Sequence, residues 1–360
     1  MYHVFQMHDR VRQIDLRLSP SIWHKVVVLM DEHFPILERL SLYFVKISRP
    51  LTLPKAFLAP NLRHLALYSI SPPRRLRLLT STISLVTLTL SNIQTSSYFR
   101  PRLLVARLRS LPQLEELFIA FSTPIPRPRA ERELLGEQRS PVTLPSLKKF
   151  HFQGVGAYLE ALVAQIRAPL LEWLKIKLFN QIALALPHLS YLVSITERFK
   201  LPSATVVFGS KVVDVSMVYY DGTGFVSPFI LCVFCKPLDW QIDCAAQICH
   251  ALIPALSRVQ TLTLFYHHLE KEISRELRNG GIDSATWHDL LRSFIGMTEL
   301  GIDDMLLEEL SRALQVDEVG SDPGFLPNLQ YIQGNNNLFT SFIDTRQVVG
   351  RPVQYQVVKY

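Results

Sequence analysis

Four cysteines near residue 240 are the residues whose types and spacing come closest to metal-binding chemistry. They read Cys232-x2-Cys235-x8-Cys244-x4-Cys249, followed by His250, and thiolates with imidazole are the ligands of structural zinc sites. The first pair, however, lies in an apolar run typical of a strand, where residues three apart point to opposite sides. The pattern therefore favours buried structural thiols over the zinc alternative, and we expect no metal and no cofactor.

The remaining polar clusters lack the spacing that catalysis requires. His267-His268-Leu-Glu270 is not the His-Glu-x-x-His pattern that puts two imidazoles on one helix face. Asp221-Gly-Thr-Gly224 lacks both the dinucleotide glycine fingerprint and the Lys-Ser/Thr ending of a phosphate-binding loop, and a hairpin turn explains it. Because no titratable groups converge at a recognised spacing, the sequence predicts a non-catalytic protein.

A nonamer of the form Leu-x-x-Leu-x-Leu-x-x-apolar recurs along the chain, usually directly after a proline. Its fourth residue falls at Leu40, Leu65, Leu88, Leu117, Phe150 and Leu174, spaced 25, 23, 29, 33 and 24 residues apart. Further copies place Ile14, Leu262, Leu300 and Ile332 at this position. Repeats of about 20–29 residues, each a short strand plus a return segment, stack into a solenoid because no unit can bury its apolar face alone.

The repeat predicts an α/β leucine-rich-repeat solenoid, a single domain over residues 1–360, with a mostly parallel concave sheet and convex helices. Regular repeats carry Asn or Cys at the ninth position, whereas this chain has Val45, Ile70, Ile93, Ser122, Val155 and Phe179 there. We therefore expect an irregular arc whose turns are closed by packing.

Three segments depart from the repeat. Residues 123–143 are polar and proline-rich, which indicates an exposed insertion loop. Residues 211–235 read as strand, glycine turn and strand, which predicts a β-hairpin. Residues 325–360 are expected to form a closing cap.

Alternate residues of each strand should face outward on the concave side, between the buried leucines. The candidate protein-binding residues at these positions are Tyr43, Tyr68, Phe118, His151, Trp173 and Lys175; His64, Glu116, Lys149 and Phe265 share the pattern. Exposed aromatic side chains on a strand suggest contact with a partner. The alternative, that loops or the insertion fold over the concave face and cover them, stays open.

Composition and charge narrow the function class. With 48% hydrophobic and 19% charged residues, the chain is not predicted to be disordered. No apolar run approaches the ~20 residues of a membrane span, and the N-terminus lacks an apolar signal core, so we expect a cytoplasmic or nuclear protein with no membrane partner. Residues 1–150 carry 22 basic and 10 acidic residues, against 16 and 21 in the remainder.

The chain resembles the leucine-rich-repeat region of the F-box proteins of mushroom-forming fungi. The resemblance is carried by Lys236-Pro-Leu-Asp-Trp-Gln241, by Ala251 to Leu264, by Trp287-His-Asp-Leu-Leu-Arg-Ser-Phe294 and by the tail from Arg346. It implies the substrate-recognition part of a ubiquitin-ligase receptor. The F-box itself, which opens near Leu-Pro-x-Glu and docks a cullin adaptor, is not found in residues 1–40, so an adaptor is expected as a partner only if an F-box lies upstream.

The sequence thus predicts a protein-protein interaction scaffold with an unknown protein ligand. Binding of a polyanion or nucleic acid through the basic N-terminal half is an alternative, although few aromatic residues suited to base stacking accompany the arginines. An enzyme is the weaker alternative.

Overall fold

A computed structural model describes residues 7–44, 51–54, 57–71, 78–124, 141–179, 184–235, 238–267, 284–315 and 325–358. The chain divides into two compact units, Met1–Lys175 and Ile176–Tyr360. The expected insertion falls mostly outside the described residues, as do His268 and Glu270. That the whole chain forms one solenoid domain stays a prediction.

In the first unit, every strong copy of the nonamer forms a strand of one sheet. These strands are β1 (Gln13–Leu18), β2 (Arg39–Phe44), β4 (His64–Tyr68), β6 (Thr87–Ile93), β7 (Glu116–Phe121), β9 (Lys149–Gly154) and β11 (Trp173–Leu178), and they are neighbours in this order. The pairs from β1 to β9 are parallel. Short strands outside this sheet are β3 (Leu51–Thr52) with β5 (Ile70–Ser71), and β8 (Val142–Thr143) with β10 (Ile166–Arg167).

Register within this sheet follows the nonamer. Leu40 lies opposite Leu65, Leu65 opposite Leu88, and Leu88 opposite Leu117. The predicted core positions are buried: Leu40, Leu65, Leu88, Leu117, Phe150 and Leu174 here, and Leu262 in the second unit. The apolar side chains of neighbouring strands therefore form a continuous ladder.

Helices of the first unit cover the buried side of the sheet. They are α1 (Pro20–Leu29), α2 (Leu78–Ser81), α3 (Pro101–Leu108) and α4 (Gly156–Val163). Proline at the first turn starts α1 and α3, where its missing N–H costs nothing. Trp23 of α1 meets Phe44 edge-on at 5.1 Å between ring centroids, and Tyr158 of α4 lies 5.7 Å from Phe152. These contacts give the strand leucines an apolar cover.

The second unit combines an antiparallel hairpin with further parallel strands. Its strands are β12 (Ser203–Phe208), β13 (Val212–Tyr220), β14 (Phe225–Phe234), β15 (Thr261–Tyr266), β16 (Glu299–Ile302), β17 (Tyr331–Gly334) and β18 (Gln354–Val357), in the order β14-β13-β12-β15-β16-β17-β18. The strand β13 is antiparallel to both neighbours, and the pairs from β12 to β18 are parallel. The predicted hairpin over 211–235 is confirmed.

Helices also cover the buried side of the strands in the second unit. They are α5 (Pro187–Ile195), α6 (Leu238–Ala251), α7 (Ile253–Leu256), α8 (Ser284–Arg292), α9 (Asp304–Leu314) and α10 (Thr340–Val348). Trp287 of α8 is fully buried and contacts Phe208 edge-on at 5.8 Å. Helix α10 and β18 fall in the expected cap, where the buried Arg346 donates to the carbonyl oxygens of Phe325 and Leu326 at 3.1 and 3.0 Å. The mixed α/β fold with mostly parallel sheets is thus confirmed.

Polar side chains form hydrogen bonds between successive repeats, which the sequence analysis did not predict. Asn61 Nδ2 donates to the Pro35 carbonyl oxygen at 2.7 Å, and Asn328 Nδ2 donates to the Ile295 carbonyl oxygen at 3.0 Å. Both asparagines follow the proline that opens their nonamer. At the ninth position, the Ser122 hydroxyl donates to the Ile93 carbonyl oxygen at 3.1 Å. The expectation that turns are closed by packing is therefore wrong at Ser122.

No helix among the described residues is both long enough and apolar enough to cross a membrane.

Neighbouring residues of β6 test the strand register. Leu88 is fully buried, whereas Thr89 is half-buried on the other side of the strand. Leu88→Ala should lower the free energy of unfolding by about 2–5 kcal/mol because it leaves a cavity, and Thr89→Ala should change it by about 0.5 kcal/mol or less. Urea denaturation of both variants checks this, and equal losses would contradict the register.

Candidate protein-binding face

The candidate binding residues all lie on one side of the first sheet. We call this side the exposed face, defined by the outward positions of β1, β2, β4, β6, β7, β9 and β11 up to Lys175. Half-buried positions on it are held by all six residues, Tyr43, Tyr68, Phe118, His151, Trp173 and Lys175. Buried residues lie on both sides of each in sequence, except at Trp173, which follows the exposed Glu172 and precedes the buried Leu174. The alternation predicted from the sequence is confirmed at all six positions.

Parallel pairing arranges these side chains in three rows that run across the strands. The first row holds Gln13, Arg39, His64, Thr87, Glu116 and Lys149; the middle row holds Asp15, Ser41, Ala66, Thr89, Phe118 and His151; the last row holds Arg17, Tyr43, Tyr68 and Ser91. The backbone N–H of Trp173 donates to the Lys148 carbonyl oxygen, as that of Lys149 does to Glu115. By the same pattern, Trp173 joins the first row and Lys175 the middle row.

Two tyrosines form the first aromatic cluster. The rings of Tyr43 and Tyr68 stack with centroids 4.1 Å apart and planes 14° from parallel. The guanidinium carbon of Arg17 lies 5.8 Å from the centre of the Tyr43 ring, within the range of a cation–π contact. Burial, together with a hydrogen bond to Tyr43, raises the pKa of Tyr68 to about 12. Tyr68 therefore stays a neutral phenol at physiological pH.

Phe118 and His151 form the second cluster. They are direct register partners on β7 and β9, with ring centroids 5.6 Å apart. Burial lowers the pKa of His151, and the Lys175 ammonium lowers it further. His151 is therefore neutral near pH 7, and its ring extends the apolar surface of Phe118. Lys175 supplies the positive charge at this end of the exposed face.

Trp173 lies apart from Phe118. It occupies the first row beside Lys149, whose Nζ pairs with Glu116 Oε1 at 2.7 Å. The pair neutralises both charges, so the first row presents an ion pair and an indole while the middle row presents the Phe118 cluster. Of the candidate residues, Phe118, His151 and Lys175 lie together, and Trp173 borders them.

Sequence reasoning missed the small side chains that lie between the two aromatic clusters. Ala66, Thr89 and Ser91 separate Tyr68 from Phe118, and all three are small. It also missed Arg17 beside Tyr43. His64, which shares the outward pattern, has its Nδ1 3.0 Å from Thr87 Oγ1. The signal was available, because the outward residues of β6 are Thr87, Thr89 and Ser91, which are all small.

The cysteines lie in the second unit, where all four are buried and not joined in disulfides. Cys235 and Cys244 are in hydrogen-bonding contact, and burial raises the pKa of Cys244. Burial also raises the pKa of Cys249. Among the described residues, no group of three or more His, Cys, Asp or Glu is placed to hold a metal ion. The predicted role as structural thiols fits this burial, since an inert thiol is one held protonated in apolar surroundings.

The glycine turn is closed by its own aspartate. Asp221 Oδ1 accepts hydrogen bonds from the backbone N–H of Thr223 at 2.9 Å and of Gly224 at 3.1 Å, and from the Thr223 hydroxyl at 2.7 Å. These bonds lower the pKa of Asp221. Gly222 adopts a φ of 93°, which L residues rarely do. The geometry is that of a hairpin turn.

Comparison with known proteins leaves the family open. No protein-family profile and no curated protein sequence matches the chain. Among solved structures, the crystal structure of a TLR13–ssRNA13 complex is similar to it, with a TM-score of 0.34 and 15% sequence identity over 86% of this chain. The similarity covers 39% of that chain, so the present chain spans about two fifths of its length. A similarity at this level establishes neither fold nor ligand.

The charge beside His151 can be tested by titration. Lys175→Ala should raise the pKa of His151 because it removes the nearby ammonium that opposes protonation. Lys148→Ala is the matched control, since Lys148 pairs with Glu115 at 3.0 Å and does not act on His151. NMR titration of the His151 ring protons measures both, and an unchanged or lowered pKa in Lys175→Ala would contradict the geometry.

The same shift links stability to pH. The pKa of His151 is lower in the folded state than its ordinary value of 6.5, so the unfolded chain binds the proton more tightly. The contribution of His151 to stability is therefore complete above pH 6.5 and is lost as the pH falls through the folded-state pKa.

Proposed function

We propose that the chain is a leucine-rich-repeat module that binds another protein on the exposed face of its first sheet. The observation that carries the proposal is the pair of aromatic clusters, Tyr43–Tyr68 and Phe118–His151, held half-exposed on adjacent parallel strands. Aromatic side chains flanked by cations are the residues that most often dominate protein interfaces. Here Arg17 and Lys175 are the flanking cations.

Pre-organisation supports this function. The stacked rings and the register of the strands fix the side chains before a partner arrives, which reduces the entropy lost on binding. The buried leucines beneath them carry the stability, so the outward residues are free to serve recognition.

Local neutralisation favours a protein partner over a polyanion. The basic residues Lys148 and Lys149 are paired with Glu115 and Glu116 at 3.0 and 2.7 Å. A surface that binds nucleic acid chiefly through phosphates would present such lysines unpaired.

The finer proposal is that the module recruits substrates for ubiquitination, as the resemblance to fungal F-box proteins implies. It requires an F-box elsewhere in the same protein. An in-frame F-box helix encoded upstream of Met1, and co-purification of that longer protein with a cullin adaptor, would support it. An upstream sequence that encodes no such helix would contradict it.

The binding proposal predicts that truncating either cluster removes partners without unfolding the protein. Affinity capture should compare the wild type with Tyr68→Ala and Phe118→Ala, each beside a thermal melt. Each truncation should weaken partner binding by about tenfold or more. The matched control is Tyr191→Ala, an aromatic residue 66% exposed on α5 in the second unit, which should keep all partners.

Two results would contradict the proposal. If both face variants keep every specific partner and melt normally, the exposed face is not the binding surface. If they keep the partners and melt at a lower temperature, the aromatic residues are covered by another part of the chain, as the alternative of a covering insertion requires.

A further inference from the structure

The two aromatic clusters flank a run of small side chains. Tyr43 and Tyr68 form one flank, and Phe118 and His151 form the other. Between them lie Ala66 on β4, then Thr89 and Ser91 on β6. We call this run of small residues the trough and the two clusters its walls; it crosses the strands obliquely from Tyr68 to Phe118.

The register gives the length of the trough. Tyr68 and Phe118 are two strand spacings apart, about 10 Å, because β4, β6 and β7 are successive neighbours. They are also one row apart, since Tyr68 pairs with Ser91 and Phe118 with Thr89. Two residues along a strand add about 7 Å, so the two walls are about 12 Å apart on the diagonal.

An extended peptide has a matching repeat. Its residues i and i+4 point to the same side and lie about 13 Å apart, with residue i+2 halfway between them. A side chain at i+2 would meet the Thr89 and Ser91 hydroxyls on the trough floor. Hydroxyl groups hydrogen-bond carboxylate, amide or hydroxyl side chains, whereas an apolar side chain would cover both hydroxyls without giving them a partner.

The charged side chains at the two ends of the trough favour a ligand of negative charge. Arg17 lies over Tyr43 at one end, and Lys175 stands beside His151 at the other. Of the two acidic residues in the rows, Glu116 is neutralised by Lys149. The remaining Asp15 lies on β1 in the middle row, on the outer side of β2 from the trough.

From these features we infer that the exposed face takes an acidic peptide segment of a partner protein in extended conformation, with two apolar anchors at i and i+4 and a small polar residue at i+2. This inference rests on the proposed function and specifies its ligand class. The anchors pack on the two aromatic clusters, and acidic residues outside them meet Arg17 and Lys175. Carboxylates flanking such anchors are complementary to both cations.

Selection from a random nine-residue peptide display library tests the ligand class. The wild-type protein serves as bait, and the double variant Tyr68→Ala/Phe118→Ala removes peptides that bind elsewhere. The enriched peptides should carry a net negative charge and two apolar residues four apart. A consensus with another spacing, a basic consensus, or no enrichment over the double variant would overturn the inference.

A variant that fills the trough provides the second measurement. Thr89→Trp should weaken a selected peptide by about tenfold or more, while Thr89→Ser, which keeps the hydroxyl, should retain binding. Fluorescence anisotropy measures both, and a thermal melt of each variant shows that the fold persists. Unchanged binding in Thr89→Trp would overturn the trough as the site. A wild-type dimer that Thr89→Trp dissociates would also overturn it, because a second copy would then be the occupant.

The two proposals fail separately. If the selected peptides need the exposed face but show a different consensus, only this ligand class is refuted. Protein binding at the exposed face then still stands as proposed. Capture of partners that Tyr68→Ala and Phe118→Ala do not affect refutes the proposed function itself.

Discussion

The structure of the first unit depends on one constraint, the burial of equivalent leucines on neighbouring parallel strands. A single strand of six residues cannot bury its apolar side chains alone, so each nonamer needs the next to complete the core. Leu40, Leu65, Leu88 and Leu117 meet this need by lying opposite one another in register. A shift by one residue would turn every leucine to solvent, which makes the register strongly specified.

The same constraint fixes the proposed binding surface. Because buried and outward positions alternate, the residues between the leucines are aligned in rows without needing contacts of their own. Stability is thereby carried by the buried side chains of each strand, and the proposed recognition by the outward ones. The outward side chains can therefore change from strand to strand, from aromatic at Tyr68 to small at Ser91 and to aromatic again at Phe118, while the core residues stay apolar. A trough is the consequence of that variation on a fixed scaffold.

The strands of the first unit, their order and the alternation of buried and outward residues could be predicted from the sequence, because the spacing of the leucines in the nonamer reflects which side chains are buried. The hairpin was equally legible, since Asp221-Gly-Thr-Gly224 separates two apolar strands. Pairing across strands also follows the nonamer. Trp173 directly precedes Leu174, as Glu116 precedes Leu117 and Lys149 precedes Phe150, so the repeat places Trp173 in the first row and not beside Phe118. The bonds of Asn61 and Asn328 to the preceding repeat were missed because they lie outside the ninth position, where such ties were sought. The shape of the whole chain and the segment at 125–140 stay predictions.

The central claim, that outward and buried residues alternate on the strand bearing Phe118, can be measured most directly by thiol accessibility along β7. Single cysteines placed at positions 116, 117, 118 and 119 should react with a polar maleimide at alternating rates, because the natural cysteines are buried. Glu116→Cys and Phe118→Cys should react rapidly, and Leu117→Cys and Ile119→Cys slowly in the folded protein. Equal rates at all four positions, or rapid reaction at 117 and 119 alone, would contradict the account.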